Sequence, residues 1–242
     1  MSKYIGWFSC GVTSAVAIKI AIEKYGKENI LPVYFKIDQV HEDNERFLRE
    51  CEEWYGLEIS VVQGKYKTPI EVADATKYVN GAYGARCTLE LKKELRYKIE
   101  REFPDYLGQV FGFEYTPKEE MRARRFAEQY PNAKPIFPLI EAKITKPEAL
   151  FILSKAGIEQ PAMYSLGYSN NNCIGCFKGG AGYWNKIRID FPDIFQATAE
   201  MERRVGATCL KGKYLDELSP TAGRRQKIIL PDCGNFCDIE EV

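Results

Sequence analysis

One histidine, His41, is all the imidazole that 242 residues contain. That scarcity puts chemistry needing a histidine pair, or a Ser–His triad drawn from one chain, out of reach. His41 itself reads as a turn residue rather than a base. Long apolar runs are also missing. None reaches the roughly 20 residues that a membrane-crossing helix requires. The opening "MSKYIGWFSCG" has no extended apolar core with a cleavage site, so no export signal is expected and the cytoplasm is the expected compartment. Excess charge is absent too, because 34 basic and 34 acidic side chains cancel. Net charge therefore offers no pull on a polyanion, and only a local basic patch would provide one. No internal repeat or low-complexity block occurs, and there is no GxxxxGK[ST] phosphate loop.

What is present is an ordinary globular composition, 45% hydrophobic and 28% charged. The length suits one α/β domain or a domain with a substantial appendage. Eight cysteines in a reducing compartment point to metal binding or catalysis before a disulfide framework.

Along the chain, "KYIGWFS", "ILPVYFKID", "LEISVVQG", "YLGQVFGFE" and "AKPIFPLI" read as strands. Between them, "SAVAIKIAIEKYG", "ERFLRECEEWYG", "CTLELKKELRYKIEREF" and "TPKEEMRARRFAEQY" read as helices, with "KPEALFILSKAGI" following. The stretch "TPIEVADATKYVNGAYGA" is less regular. This alternation predicts a doubly wound α/β fold on a mostly parallel five-stranded sheet. From about residue 158 the texture turns Gly-, Asn- and Cys-rich with patchy periodicity. The expected organisation is therefore an α/β domain over 1–157 and a small cysteine-containing subdomain over 158–242. Ligands of such sheets bind beyond the carboxyl ends of the strands, and the loop after the first strand is the usual place.

That loop is Ser9-Cys10-Gly11-Val12-Thr13-Ser14. On spacing alone two readings stand. In one, successive amides at a helix start cradle a phosphate, with Gly11 permitting close approach and Ser9, Thr13 and Ser14 adding hydroxyls. In the other, Thr13 or Ser14 is an ordinary helix N-cap. Cys10, beside a helix N-terminus, is expected to lean toward thiolate, yet reads better as a space-filling residue than as a nucleophile.

The cysteines fall in pairs. Cys173-x-x-Cys176 has the spacing that lets two thiols reach one ion or cluster. Cys233-x-x-x-Cys237 follows near the end, and Cys87 opens a predicted helix. Zinc and an iron–sulfur cluster are both open for such a set. Cys51 and Cys209 read as packing residues. The triplet Arg122, Arg124 and Arg125 in "MRARR" is a solvated face or an oxygen-binding one. "GYWNKIRIDFP", with Tyr183, Trp184, Lys186 and Arg188, is either a nucleic-acid stacking surface or a small aromatic core.

Several of these segments together carry a resemblance. Ser9-x-Gly11-x-x-Ser14 after a strand resembles the PP-loop, usually SGGxDS, of the adenine nucleotide alpha-hydrolase-like superfamily. Cys10 stands at its second glycine, and Thr13 where the ATP pyrophosphatases usually have Asp. "IDQVHEDNERF", with Asp38 and Glu42, is similar to the segment that borders the nucleotide. "CTLELKK" resembles the "CT..LK" element of the phosphoadenosine phosphosulfate (PAPS) reductases. "VFGFEYTPKEEMRARR" is similar to that family's Gly-then-Arg segment, here Gly112 with Arg122 and Arg125. "PIFPLIEAKITKPEAL" and "PAMYSLGYSNNNCIGC" resemble its closing elements.

The resemblance covers about the first 180 residues. It implies an ATP-using PP-loop enzyme that adenylates a substrate and releases pyrophosphate, with Mg2+. ATP or a sulfated adenine nucleotide would be held by Ser9, Gly11, Thr13, Ser14, Asp38, Gly112, Arg122 and Arg125. It further implies a [4Fe–4S] cluster on Cys87, Cys173 and Cys176, with zinc as the alternative. A fourth ligand would come from the tail, Cys237, or be left open. Sulfur transfer to a nucleic acid from a sulfur-donor protein, by a homo-oligomer, would follow. "Asp232-Cys233-Gly234" resembles the reductases' catalytic "ECG" tail, which makes Cys233 either a nucleophile in a PAPS or adenylyl-sulfate reductase or a further ligand. A nucleotide sensor with a zinc site is the non-catalytic alternative.

Overall fold

The computed structural model describes residues 2–81 and 84–224. In chain order the first elements are β1 (Tyr4–Phe8), α1 (Val12–Tyr25), β2 (Ile30–Phe35), α2 (Asn44–Tyr55), β3 (Ser60–Val62) and α3 (Pro69–Thr76). Next come β4 (Asn80–Gly81), β5 (Gly84–Ala85), α4 (Arg86–Thr88), a π-helical turn (Leu89–Lys93) and α5 (Glu94–Glu102). The remainder is β6 (Gly108–Val110), α6 (Pro117–Gln129), β7 (Pro135–Ile136), α7 (Pro138–Glu141), α8 (Lys146–Lys155), α9 (Ala162–Ser165), α10 (Ala181–Asp190) and α11 (Pro192–Val205). No described helix is long and apolar enough to cross a membrane.

Five strands form one all-parallel sheet in the order β3-β2-β1-β6-β7. The chain winds outward from β1 to β3 and then returns to the other side of β1. The switch point therefore lies between β1 and β6, where the doubly wound pattern opens a crevice at the strand ends. β1 is buried from Ile5 to Phe8, as a central parallel strand covered on both faces should be. A polar chain crosses to its neighbour: Trp7 Nε1 donates to Gln109 Oε1, and Gln109 Nε2 donates to Glu100 Oε1, each at 2.8 Å. Gln109 is fully buried, and these bonds meet the cost of enclosing its amide.

The elements group into two compact units. The first holds the sheet and comprises residues 2–35, 42–62 and 97–165; the second comprises 36–41, 63–81, 84–96 and 166–224.

In the first unit, α1 packs on β1, α7 and α8 and contributes Val12, Ala15, Val16, Ala17, Ile18 and Ala21 to the core. Phe8, Phe47 and Tyr55 close that core, and the Tyr55 hydroxyl donates to Ala15 O at 2.8 Å. In the second unit, α10 and α11 pack together. The patchy periodicity beyond residue 158 conceals these two helices, of 10 and 14 residues. Pro192 starts α11 at a position needing no N–H, and Gly206 ends it in the left-handed region. Tyr183 and Trp184 are buried at 2% and 0% exposure, so the aromatic stretch is a core and not a stacking surface. Its cations are engaged as well. Lys186 pairs with Asp190 at 2.8 Å, and Arg188 donates to the carbonyls of Leu215 and Leu218.

Candidate functional site

The loop after β1 turns on Cys10, whose φ of 56° lies in the left-handed region. A non-glycine residue holds that conformation at a cost of about 1 kcal/mol or more. The turn delivers Gly11 in extended conformation as the N-cap of α1, with no side-chain cap. The helical ladder begins with Ala15 N–H donating to Gly11 O at 3.1 Å. The amides of Val12, Thr13 and Ser14 therefore precede the first intrahelical donor, Ala15 N–H, and carry the positive end of the helix dipole. An ordinary N-cap at Thr13 or Ser14 is thus replaced by an uncapped helix start.

Hydroxyls knit the loop internally. Ser9 Oγ donates to Ser14 Oγ at 3.0 Å, Ser9 N–H donates to the same oxygen at 3.1 Å, and Ser14 Oγ donates to Gly11 O at 2.9 Å. The hydroxyl protons of Ser9 and Ser14 are consequently engaged within the loop. Thr13, half-buried in the first turn of α1, supplies the third hydroxyl.

Gly112, just beyond β6, lies against this helix start. A Cβ there would fall 2.6 Å from both the nitrogen and the Cα of Ser14, and 2.8 Å from the Thr13 carbonyl carbon. Only glycine permits the approach. Two residues that the sequence did not single out complete the surroundings. The Tyr164 hydroxyl lies 3.5 Å from the point a Gly11 Cβ would occupy, and Lys146 Nζ sits 4.9 Å over the Tyr164 ring. Asp43 fixes this arrangement by accepting the Ala162 N–H at 2.8 Å while holding Arg46 through both carboxylate oxygens. Lys146 N–H in turn donates to Glu114 Oε2 at 2.9 Å. Residues 114, 146 and 164 are far from the loop in sequence, and only the fold reveals them as its neighbours.

The thiolate expected at Cys10 is overturned. Burial, followed by the nearby Cys51 thiol, pushes the Cys10 thiol well up, and its S–H points at Asn44 O at 3.8 Å. Enclosure outweighs the helix dipole, and Cys10 fills space. Cys51 is likewise pushed up to about 12 by burial.

The arginines divide. Arg122 stacks on Phe113 with 4.4 Å to the ring centroid and pairs with Glu119 at 3.1 Å, whereas Arg124 and Arg125 are exposed. Asp38 belongs to the second unit, where it is exposed, accepts from Gln63 Nε2 at 2.9 Å and donates its own N–H to Lys67 O.

The described cysteines are all free thiols and sort by unit. Cys10 and Cys51 neighbour each other in the first. Cys87, Cys173, Cys176 and Cys209 are in the second, where Cys87 and Cys173 pack on the same apolar residues, Ile37, Val72 and Leu91. Tyr183 clamps the Cys173–Cys176 turn: its hydroxyl donates to Cys173 O at 3.3 Å and accepts the Cys176 N–H at 2.9 Å. Gly175 gives the turn its positive φ of 73°. As placed, no three His, Cys, Asp or Glu side chains among the described residues form a group able to hold a metal ion. The donor set nevertheless has the thiophilic chemistry that zinc or iron–sulfur binding requires. Cys233 and Cys237 lie outside the described residues.

No family model and no curated protein matches this chain.

Proposed function

We propose that this chain is an adenine-nucleotide-binding enzyme of the PP-loop type, PAPS-reductase-like, that activates a substrate oxygen as its adenylate and releases pyrophosphate. The single observation that carries the reading is the uncapped start of α1 with Gly112 pressed against it. Amides aimed outward from a helix start favour phosphate oxygens, and the Gly112 approach holds them in place before any ligand arrives. Thr13 would donate its hydroxyl to a phosphate oxygen, and Lys146 beside Tyr164 would supply positive charge. Mg2+ accompanies the nucleotide in this reading.

Cys87, Cys173 and Cys176 are the residues that would hold a [4Fe–4S] cluster, or zinc in its place. Such a centre supplies sulfur-binding chemistry when present, and the resulting activity would be sulfur transfer to a nucleic acid with a donor protein. The acidic and basic totals leave the acceptor to be recognised locally rather than by net charge.

The test is incubation of the oxygen-free protein with ATP labelled at the α-phosphate, Mg2+, a sulfide source and bulk tRNA or DNA. Release of labelled AMP with pyrophosphate is the expected outcome. Release of ADP and orthophosphate, or no turnover with any nucleic acid, overturns the reading.

A further inference from the structure

We propose that Asp43 and Arg46 are positioning residues for the nucleotide site. The pair holds Tyr164 over the loop at 9–14 and so sets that loop's affinity for phosphates without touching them. The inference rests on the reading that this loop binds an adenine nucleotide, and it adds two residues from outside the loop.

The first sign is a cap that is not used. Asp43 is the N-cap residue of α2, and Asp is favoured at that position because its carboxylate can accept the helix's own orphan amides. Here the Asp43 side chain makes no capping bond to α2. It serves instead a segment 119 residues away, where Oδ2 accepts the Ala162 N–H at 2.8 Å.

The second sign is a charge in an unfavourable place. Arg46 lies in the first turn of α2, where the positive end of the helix dipole disfavours a cation. Its guanidinium donates to both Asp43 oxygens, at 2.6 and 2.8 Å, and to Glu50 at 2.6 Å. So braced, it also donates to the carbonyls of Glu159 and Gln160, at 3.2 and 3.3 Å. A planar fork can hold carboxylates and two consecutive carbonyls at once, which a lysine ammonium does not reproduce. The unused cap and the early cation both serve the segment at 159–162.

What that segment carries is Tyr164. Pro161 O accepts the Tyr164 N–H at 3.0 Å, which closes the turn next to the amide that Asp43 holds. Met163 anchors the turn in the core at 1% exposure, and the Tyr164 hydroxyl stands 3.5 Å from the point a Gly11 Cβ would occupy. Lys146 Nζ rests over the Tyr164 ring. The start of α2 also reaches the loop directly, since the Cys10 S–H points at Asn44 O. Loop, α2 start and Tyr164 turn thus meet within the first unit. A clamp of this kind orders the surroundings of the loop before a ligand arrives, and such preorganisation raises affinity.

The experiment is calorimetric titration of Mg·ATP into the full chain, arranged as a double-mutant cycle between Asp43 and Tyr164. Asp43→Ala alone should weaken ATP binding about tenfold, and Tyr164→Ala alone by a similar factor. Combined, they should weaken it by less than about twofold beyond either single variant, because residues that act through one another are non-additive. Arg46→Met should resemble Asp43→Ala, and Arg46→Lys should recover only part of the loss.

Wild-type affinity in Asp43→Ala would overturn the inference, because the clamp would then be irrelevant to binding. Losses that multiply across the cycle would overturn it too, because Asp43 would then support the fold and not Tyr164. If Asp43→Ala does not fold, Arg46→Lys paired with Tyr164→Ala decides by the same criterion. A wild type that binds no ATP overturns the reading of the loop and this inference together, whereas binding that survives Asp43→Ala unchanged leaves the reading of the loop intact.

Discussion

A Cβ placed on Gly112 falls 2.6 Å from the amide nitrogen of Ser14, so the strand end and the helix start are in backbone contact that only glycine allows. Gly112→Ala must therefore push the loop and α1 apart. Overpacking of this kind costs about 1–3 kcal/mol. ATP affinity, read by calorimetric titration, should fall at least about tenfold, which is ~1.4 kcal/mol. Unchanged affinity in a folded Gly112→Ala protein would mean that this contact does not shape a nucleotide site.

Lys146 and Tyr164 should matter to binding and not to the fold. Lys146→Met removes a charge 4.9 Å above the Tyr164 ring but keeps its aliphatic stem. The expected result is a several-fold weaker ATP affinity, with a melting temperature close to wild type. Tyr164→Phe, which deletes only the hydroxyl near Gly11, should weaken binding less.

Cys10 is predicted to be a structural residue. Cys10→Ala empties a fully buried position and should destabilise the protein by about 1–2 kcal/mol in urea unfolding. AMP formation measured below the melting temperature should persist. Because φ is positive there, Cys10→Gly relieves backbone strain while losing the same packing, so its cost should be smaller than that of Cys10→Ala. Alkylation of native protein should leave Cys10 unmodified, since burial keeps its thiol protonated.

The pH response of the second unit has a readable part in Asp216. Arg203, which also stacks over Tyr214, donates to its carboxylate at 2.8 and 2.7 Å, and these charged hydrogen bonds lower the Asp216 pKa from its ordinary 3.8. A lowered folded value means that the pair contributes above the unfolded pKa, and that this contribution is lost as pH falls through the folded one. The urea midpoints of wild type and Asp216→Asn should therefore differ at neutral pH and converge as pH drops below about 3.8. A difference that persists under acid would assign the effect to packing.

Much of this arrangement is legible in the sequence. The apolar strands and the helix starts set by Pro and Thr follow from local patterns, and the observed sheet is parallel and five-stranded as those patterns imply. Gly11 and Gly112 could be picked out because backbone demands show as glycines. Other features were hidden because they depend on long-range contacts. Lys146 and Tyr164 reach the loop only through the α8 and Asp43 connections. The helices α10 and α11 were obscured because Gly, Asn and Cys around them dilute the periodicity.

The central claim is that the uncapped start of α1 holds the phosphates of an adenine nucleotide. It is tested most directly by calorimetric titration of Mg·ATP, beside adenosine, into the full-length protein. The account predicts saturable binding of ATP, little or no binding of adenosine, and loss of ATP binding in Gly112→Ala. No heat with ATP, or equal affinity for ATP and adenosine, would contradict it.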